Sequence, residues 1–477
     1  MTGQIRAQWG GRAPRVAALA LCALLAFGGT LRAENQDDEA EGIPAPAGPM
    51  RLADTRLEPI AWSDIDGWQS DDHAAAFATF LASCRAVVAG AKASSPDPRP
   101  VFAALAAVCG RALAAVPLEG DAARQFFEDN FRAVRISKIE SETGLLTGYY
   151  EPVVDGSRFP TGEFKVPLYR RPRDLVHMGS KRRLASLPNK GRVVRRINWR
   201  KFVPYYERAE IEDGVLDGRH LEICYVKSWT DVLFMQIQGS ARVRLEDGLT
   251  VRVNYDSHNG QPGTSVGRTL IERNLISRED MSMDRIRAWM EKNPEEASEV
   301  RRLNKAFVFF RITGLSEFDE AAGAQNVPLT PVRSIAVDRA IHVYGTPFFI
   351  EAELPIASDA PMTKFRRLMI AQDTGSAIVG PARADIFFGA GDEAGRVAGR
   401  IKQQGRFTML LPRELDLVEA GKAMPLPPER PVEATEKPPA EAPAAPATPA
   451  MATPPTEKPP QQPSADAVPV PRPKPKS

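Results

Sequence analysis

Residues 372–389, QDTGSAIVGPARADIFFG, combine two aspartates with glycine turns and a strongly apolar segment. They lie among short apolar runs separated by Gly, Pro and Asp, a pattern typical of short β-strands joined by turns. These runs are Arg333–Val337, Pro347–Glu353, Arg367–Gln372 and Phe407–Leu411. No Gly-x-Gly-x-x-Gly precedes a helix and no long β-α-β alternation occurs, so a nucleotide-binding sheet is disfavoured. The pattern predicts a mainly β fold, in the form of β-barrels with helical additions.

The two aspartates of this stretch have contrasting neighbours. Asp385 precedes Ile-Phe-Phe, and a carboxyl group desolvated by such residues has a raised pKa and can act as a general acid. Asp373 precedes Thr-Gly-Ser, whose turn amides and hydroxyls we expect to hold it ionised. Asp338, in Val-Asp-Arg, is a third candidate. Each aspartate alone is more often a turn former than a catalyst, so sequence spacing leaves both interpretations open.

Asp373-Thr374-Gly375 also matches the active-site loop of aspartic proteases, which pair two such loops to form a carboxylate dyad. The chain has no second Asp-Thr-Gly, so this chemistry would require a homodimer. We regard it as a minor alternative.

The preceding part of the chain changes pattern twice. Residues 73–135 have helical periodicity, and a second helical region extends from Ser265 to Asn304 with a break at Asn293-Pro294. Predicted strands lie between and after them, at Leu145–Pro152, Lys165–Arg170, Val232–Ile237, Ala241–Leu245, Thr250–Asn254 and Phe307–Ile312.

Both ends differ in composition from the body. Residues 1–33 combine early arginines, the apolar run Val16–Phe27 and Leu-Arg-Ala, which predicts a cleaved export signal; an uncleaved anchor is the alternative. Residues 425–477 hold many of the 42 prolines and little apolar surface. We expect this tail to be extended and disordered, either as a solvated tail or as a docking segment for another envelope component.

The charged, histidine and cysteine residues indicate which partners, metal sites and disulfides to expect. Lys+Arg 62 against Asp+Glu 60 gives a net charge of +2, which indicates no nucleic-acid partner. The five histidines are not at metal-ligand spacing, so a metal site is not expected. Two predicted helices carry Cys84 and Cys109, and an antiparallel pair of helices would bring these cysteines together as a disulfide. Cys224 is expected to be a buried free thiol.

Several motifs, in order along residues 145–412, resemble those of the membrane-bound lytic murein transglycosylase A family. They are Thr147–Pro152, Gln236–Ser240, Val253–Tyr255, Gly260, Ser265–Arg268, Glu279–Met283 and a C-terminal module from Pro331 to Leu411, named in that family for its three aspartates. The resemblance implies a double-psi β-barrel built from residues 50–152 and 315–420. It also implies a smaller β-domain, 153–314, inserted between these segments, with a groove for a glycan strand between the two domains.

The resemblance also implies a reaction. The family cleaves the β-1,4 bond between N-acetylmuramic acid and N-acetylglucosamine in peptidoglycan without water, leaving a 1,6-anhydromuramic acid end. Asp385 matches the single carboxyl group that acts first as acid and then as base. Asp373 would orient it or steady positive charge, and Asp338 would be structural or supporting. No cofactor is implied.

Substrate contacts follow from the same motifs. Thr147, Gly148, Tyr149 and Tyr150 are expected to form a sugar-binding strand, although core packing of either tyrosine is an alternative. Gln236, Gln238 and Ser240 are candidates for contacts with N-acetyl groups, with a structural role equally open. We expect an exported, periplasmic monomer that acts on peptidoglycan strands; association with the outer membrane stays open, because the lipid-anchored cysteine of better-known members has no convincing counterpart.

Two other classes of function compete with this one. A barrel of this kind can bind polysaccharide as a non-catalytic scaffold. An ordinary glycan hydrolase would use the same groove with Asp373 as its base.

Overall fold

The computed structural model describes residues 55–415, except 116, 179–183, 185, 317 and 358–361. The predicted export signal, 1–33, and the predicted tail, 425–477, lie outside the described residues.

The described chain is mainly β, with helices in two groups. The strands are β1 Thr55–Pro59, β2 Phe131–Lys138, β3 Gly144–Glu151, β4 Val153–Ser157, β5 Val166–Tyr169, β6 Leu175–His177, β7 Val193–Arg196, β8 Phe202–Val203, β9 Glu222–Val226, β10 Ser240–Leu245, β11 Thr250–His258, β12 Val308–Ile312, β13 Ser334–Val337, β14 Pro347–Leu354, β15 Thr363–Asp373, β16 Arg383–Ala390 and β17 Lys402–Pro412. The α-helices are α1 His73–Ala91, α2 Pro100–Ala114, α3 Gly120–Asn130, α4 Arg208–Glu212, α5 Trp229–Gln238, α6 Val266–Glu272, α7 Met283–Lys292, α8 Pro294–Leu303 and α9 Gly391–Arg400.

The largest sheet closes on itself. Its strand order is β1-β2-β17-β14-β15-β13-β16-β3, and β17 also pairs with β3. Six strands therefore form a closed barrel, while β1 and β2 extend it beyond β17. The long strand β17 makes both connections: Gln403 lies opposite Leu146 of β3, and Met409 lies opposite Val134 of β2. A mainly β barrel fold is confirmed; the double-psi connectivity stays a prediction.

A second, six-stranded sheet has the order β12-β11-β10-β4-β9-β5, and all its strands lie between Val153 and Ile312. It has its own apolar core, which includes Leu168, Phe309 and Phe310. Helices α5 to α8 form an adjoining cluster around Phe234 and Leu270. A small third sheet contains β6, β7 and β8.

Two predicted elements are wrong. Val232–Ile237, predicted as a strand, is part of helix α5. Nearly every side chain in this run is buried, so the apolar periodicity that distinguishes a helix from a strand is hidden. The cap residues indicate the helix: Ser228 accepts a hydrogen bond from the Asp231 amide, and Gly239 ends the helix at φ 85°.

The second error is at residues 131–135, which were included in the predicted helical region. Helix α3 ends at Asn130, and Phe131 begins strand β2. Strand β2 is paired on both sides, with β1 and β17, and its apolar side chains are buried in the core of the barrel. Tertiary pairing has therefore overridden the local helical pattern.

Helices α1 and α2 pack together against the barrel, and a disulfide joins Cys84 to Cys109. The predicted bridge is confirmed, as is the buried free thiol of Cys224. Burial raises the pKa of Cys224 to about 12, so it is a poor nucleophile. By length and composition α1 is apolar enough to cross a membrane. Its buried Phe77 and Phe80 instead explain that composition as core packing.

A buried ionic cluster lies where the chain passes from the barrel into the second sheet. Glu151, the last residue of β3, is only 1% exposed. Both of its carboxylate oxygens lie 3.0 Å from the Arg252 guanidinium, and Arg242 Nε donates to it at 2.7 Å. Because removing one partner of a buried ion pair leaves an uncompensated charge, this cluster ties β3 firmly to β10 and β11.

Replacing both bridged cysteines, as Cys84→Ala with Cys109→Ala, should lower the free energy of unfolding. The bridge closes a loop with a sequence separation of 25 residues. Loss of that loop constraint is worth roughly 3.5 kcal/mol in the chain-entropy model. Urea unfolding of both proteins measures the difference, with Cys224→Ala as the control that removes a buried thiol but no bridge. Equal stability of the double variant and the parent would contradict the prediction.

Candidate active site

Two of the three predicted aspartates, Asp373 and Asp385, lie in one row across three neighbouring strands. Ala336 of β13 is the register partner of Asp385 on β16 and of Asp373 on β15. A register shift between Ile335 and Ala336 brings Asp373 into this position, where regular pairing would place Gln372. Residues directly opposite each other in a sheet share a face, so both carboxyl groups project on the same side. Their backbones are two strand spacings apart, roughly 10 Å.

Strand β3 extends this row by one residue. It pairs in parallel with β16, which places Thr147 opposite Asp385. Thr147 Oγ1 donates to Asp385 Oδ1 at 2.7 Å, and Arg383 Nη2 donates to the same Oγ1 at 2.8 Å. A guanidinium group can only donate, so Thr147 Oγ1 accepts from Arg383 and its own proton is available to Asp385. Because Asp385 Oδ1 accepts this hydrogen bond, we expect Oδ2 to carry the proton when the carboxyl group is protonated.

Asp385 has the titration behaviour of a general acid near neutral pH. Burial is the main cause that raises its pKa to about 6, and the nearby Asp373 charge acts in the same direction. The Thr147 hydrogen bond and the Arg383 charge oppose the shift. Ile386 points to the barrel core, as alternation along a strand requires, so this neighbour is not what desolvates the carboxyl group.

Asp373 is held by three donors. Its Oδ1 accepts the amides of Thr374, at 2.8 Å, and Ala324, at 2.9 Å, and its Oδ2 accepts the Tyr149 hydroxyl at 2.9 Å. Burial nevertheless raises its pKa, against the effect of all three. The expectation that turn donors hold this carboxyl group ionised stays a prediction. Only Thr374 belongs to the turn, and the other two donors come from distant parts of the chain.

The expected sugar-binding strand has several separate roles. Tyr149 is buried, with its ring 5.3 Å from that of Phe387 and its hydroxyl on Asp373, so it positions that carboxyl group. Tyr150 is half-buried, and its ring packs on Gly395 of α9. A Cβ on Gly148 would lie 2.8 Å from Ala398 Cα, so only glycine allows α9 to approach β3 this closely.

The three candidates from the second predicted motif are separated. The Gln236 amide is used within the second sheet: its Oε1 accepts from Arg208 at 2.6 Å, and its Nε2 donates to the Val308 carbonyl at 3.0 Å. Ser240 is buried at the start of β10. Gln238 reaches the barrel, where its Oε1 accepts the Tyr150 amide at 3.1 Å.

Asp338 stabilises the loop that leads into β16. Its Oδ1 accepts the Ala340 amide at 2.9 Å, and its Oδ2 accepts the Gly380 amide at 2.8 Å. The nearby His342 Nε2 makes a hydrogen bond with the Pro381 carbonyl at 2.9 Å. These contacts fit the structural role expected for Asp338, since they hold the turn between β15 and β16.

Sequence reasoning missed Arg383 and Ala324. Arg383 lies two residues before Asp385 on the same strand, and that spacing alone indicates a shared face. Nothing in the local sequence connects Ala324 with Asp373. Within the described ranges, no group of three or more His, Cys, Asp or Glu side chains is placed to hold a metal ion.

Comparisons with known proteins match both parts of this architecture. A family model described as the MltA specific insert domain matches residues 145–311, and one described as the 3D domain matches residues 333–411. These matches define the class: a barrel that carries an MltA-type insert and is completed by a 3D domain.

The solved structure of a membrane-bound lytic murein transglycosylase from Agrobacterium tumefaciens is 34% identical, with a TM-score of 0.67, and the match covers 77% of this chain and 99% of that one. Escherichia coli MltA with bound chitohexaose is 27% identical, with a TM-score of 0.56 and coverage of 78% and 98%. The chain belongs to the membrane-bound lytic murein transglycosylase A family.

The curated protein named membrane-bound lytic murein transglycosylase A from Escherichia coli strain K12 is 35% identical to this chain over 271 residues, 55% of its length. The chain spans 64% of the length of that relative.

Asp385→Asn should stabilise the protein at neutral pH. Because the folded-state pKa of about 6 is above the usual 3.8, the folded state binds more protons than the unfolded state between those values, and stability falls as pH rises through that window. Asparagine removes this cost and still accepts from Thr147. Thermal and urea unfolding should show a gain of roughly 2 kcal/mol at pH 7, after a discount for partial exposure, that disappears near pH 4.

Asp338→Asn is the matched control. It replaces a carboxylate that accepts two backbone amides, so it should lower stability rather than raise it. A destabilised Asp385→Asn at pH 7 would show that the carboxylate is not held at a cost.

Proposed function

We propose that this protein is a peptidoglycan lytic transglycosylase that uses Asp385 as its single acid and base. The observation that carries the proposal is the arrangement around Asp385: a carboxyl group with a pKa near 6, one oxygen fixed by Thr147, and the other oriented to hold the proton. A catalyst that must donate and then recover one proton works best with a pKa near ambient pH.

The first step would protonate the leaving oxygen. Asp385 Oδ2 donates its proton to the oxygen of the β-1,4 bond, the bond from the muramic acid C1 breaks, and positive charge develops at that carbon. The C6 hydroxyl of the same sugar then forms the new bond to C1, and its proton returns to Asp385. No water is consumed, and the product is a 1,6-anhydromuramic acid end.

Asp373 would provide charge rather than proton transfer. Both of its oxygens already accept hydrogen bonds from Thr374, Ala324 and Tyr149. Such a carboxyl group is poorly placed to activate a water molecule, which supports the transglycosylase over an ordinary hydrolase. Its negative charge also supports the raised pKa of Asp385.

The substrate would be a glycan strand in a groove between the barrel, residues 50–152 with 315–420, and the insert, residues 153–314. The contact between Gln238 and the Tyr150 amide brings the insert to the catalytic strand. Chitohexaose bound to Escherichia coli MltA is a glycan in a relative of the same fold. An exported, periplasmic monomer remains part of the proposal, with the tail either solvated or, as the alternative, a docking segment.

Substitution of the two aspartates should give an ordered loss of activity. Asp385→Asn removes donor and base while keeping shape, and loss of general acid–base catalysis typically costs about 10²–10⁴-fold. Asp373→Asn should lose less, because it removes charge only. Turnover of purified sacculi measures both, with retained sacculus binding and a thermal midpoint no lower than that of the parent as controls. More than about a tenth of parental activity in Asp385→Asn would rule out its assigned role.

The identity of the products separates the candidate reactions. After incubation with purified sacculi, mass spectrometry of the released muropeptides should show anhydromuramic acid ends. Reducing ends would identify a hydrolase. Binding to sacculi with no products would identify a scaffold.

A further inference from the structure

Positive charge is concentrated in one segment of the insert. Residues 170–201 contain twelve Lys or Arg and one acidic residue, Asp174, whereas the whole chain has a net charge of only +2. The single carboxylate is already engaged: Asp174 accepts from Arg219 at 2.7 Å and from Tyr205 at 3.3 Å. The rest of the chain is therefore net acidic. We name the described part of this segment, residues 170–178, 184 and 186–201, the basic sheet; it holds nine of the twelve cations.

Strands β6, β7 and β8 form the framework of the basic sheet. Val176 lies opposite Val194, and Arg196 lies opposite Phe202. Leu175 and Val193 are buried in the core of the second sheet, which anchors the base of the structure. Val194 is buried as well, whereas most of the cations are exposed. The exposed described cations include Arg173, Lys190, Arg192, Arg196, Arg200 and Lys201.

The loop between β7 and β8 carries apolar side chains into solvent beside these cations. Ile197 is 48% exposed and Trp199 is 74% exposed. The loop is held in shape because Asn198 Oδ1 accepts the amides of Arg200 and Lys201, each at 2.9 Å. The Arg200 guanidinium lies 3.7 Å from the centroid of the Trp199 ring.

An exposed tryptophan and isoleucine surrounded by Arg and Lys is the composition of segments that lie at a membrane interface. Arg and Lys attract anionic headgroups, while the indole ring favours the boundary between headgroups and acyl chains. We propose that the basic sheet docks this protein on an anionic phospholipid surface, with Ile197 and Trp199 entering the headgroup region.

Carboxylates on the peptides of the cell wall would also be attracted to these cations. They would not explain the exposed apolar tip, because a soluble carboxylate gains nothing from a neighbouring isoleucine. A lipid surface accounts for both the charge and the tip, so it is the occupant to which the proposal commits.

Binding of the full-length chain to vesicles tests the proposal. Vesicles of phosphatidylcholine mixed with phosphatidylglycerol should bind the parent, more weakly as salt is added, and phosphatidylcholine alone should bind it poorly. Arg196→Gln, Arg200→Gln and Lys201→Gln combined should weaken binding to the anionic vesicles on the order of 100-fold. Because the apolar run Val16–Phe27 can itself enter vesicles, all comparisons are between variants that share it.

The tip is tested separately. Lipids brominated near the headgroup should quench fluorescence in the parent, and Trp199→Phe should bind equally well but lose the corresponding part of the quenching. Ile197→Ser with Trp199→Ser should weaken binding. Phe159→Ser is the matched control, since Phe159 is 73% exposed but lies outside the basic sheet, and it should bind as the parent does.

Turnover of soluble glycan and the thermal midpoint should be unchanged in all these variants, which keeps this test separate from the proposed reaction. Vesicle binding that is equal in the parent and the charge variant would overturn the proposal. So would a charge variant that loses affinity for sacculi but not for vesicles, since the cations would then recognise the peptides of the cell wall. Quenching that is the same in the parent and Trp199→Phe would exclude insertion of the tip.

Discussion

The parallel pairing of β3 with β16 is the contact on which the rest of this structure depends. It joins residues 238 positions apart, Thr147 and Asp385, and it completes the closed barrel. The same pairing gives one oxygen of the catalytic candidate, Asp385 Oδ1, its hydrogen bond from Thr147. Strand β3 then continues to Glu151, whose buried ion pairs hold the insert. Barrel closure, the hydrogen bond to the proposed catalytic carboxyl group and attachment of the insert therefore share one eight-residue strand.

The two aspartates show that a partly buried carboxyl group lowers the stability of the folded protein when it is ionised. Both carboxyl groups are half-buried, and this partial desolvation raises the pKa of each above its ordinary value. Three donors offset part of this for Asp373, whereas Asp385 has Thr147 and the more distant charge of Arg383. In the proposed reaction the group with fewer donors, Asp385, would be the acid, and the group with three donors, Asp373, would be the supporting charge.

Local signals were sufficient for much of the fold. Helical periodicity predicts that Cys84 and Cys109 lie on a pair of helices. The apolar residues that follow Asp385 in the sequence predict its raised pKa. What failed depended on tertiary contacts. The register shift that brings Asp373 opposite Ala336, and the Ala324 amide that binds it, have no local signature. Val232–Ile237 was mistaken for a strand because complete burial removes the periodicity on which sequence interpretation relies.

The position of the insert has a consequence for how the chain folds. Val153 and Ile312 lie three strand spacings apart in the second sheet, roughly 14 Å, because β10 and β11 separate them. As an unfolded loop, the insert would add about 4 kcal/mol of closure entropy to the pairing of β3 with the later barrel strands. Once it has folded by itself, its two ends are held near each other and most of that entropic barrier is removed. A folded insert is thus a much shorter connection between β3 and the later barrel strands than the same residues in an unfolded loop.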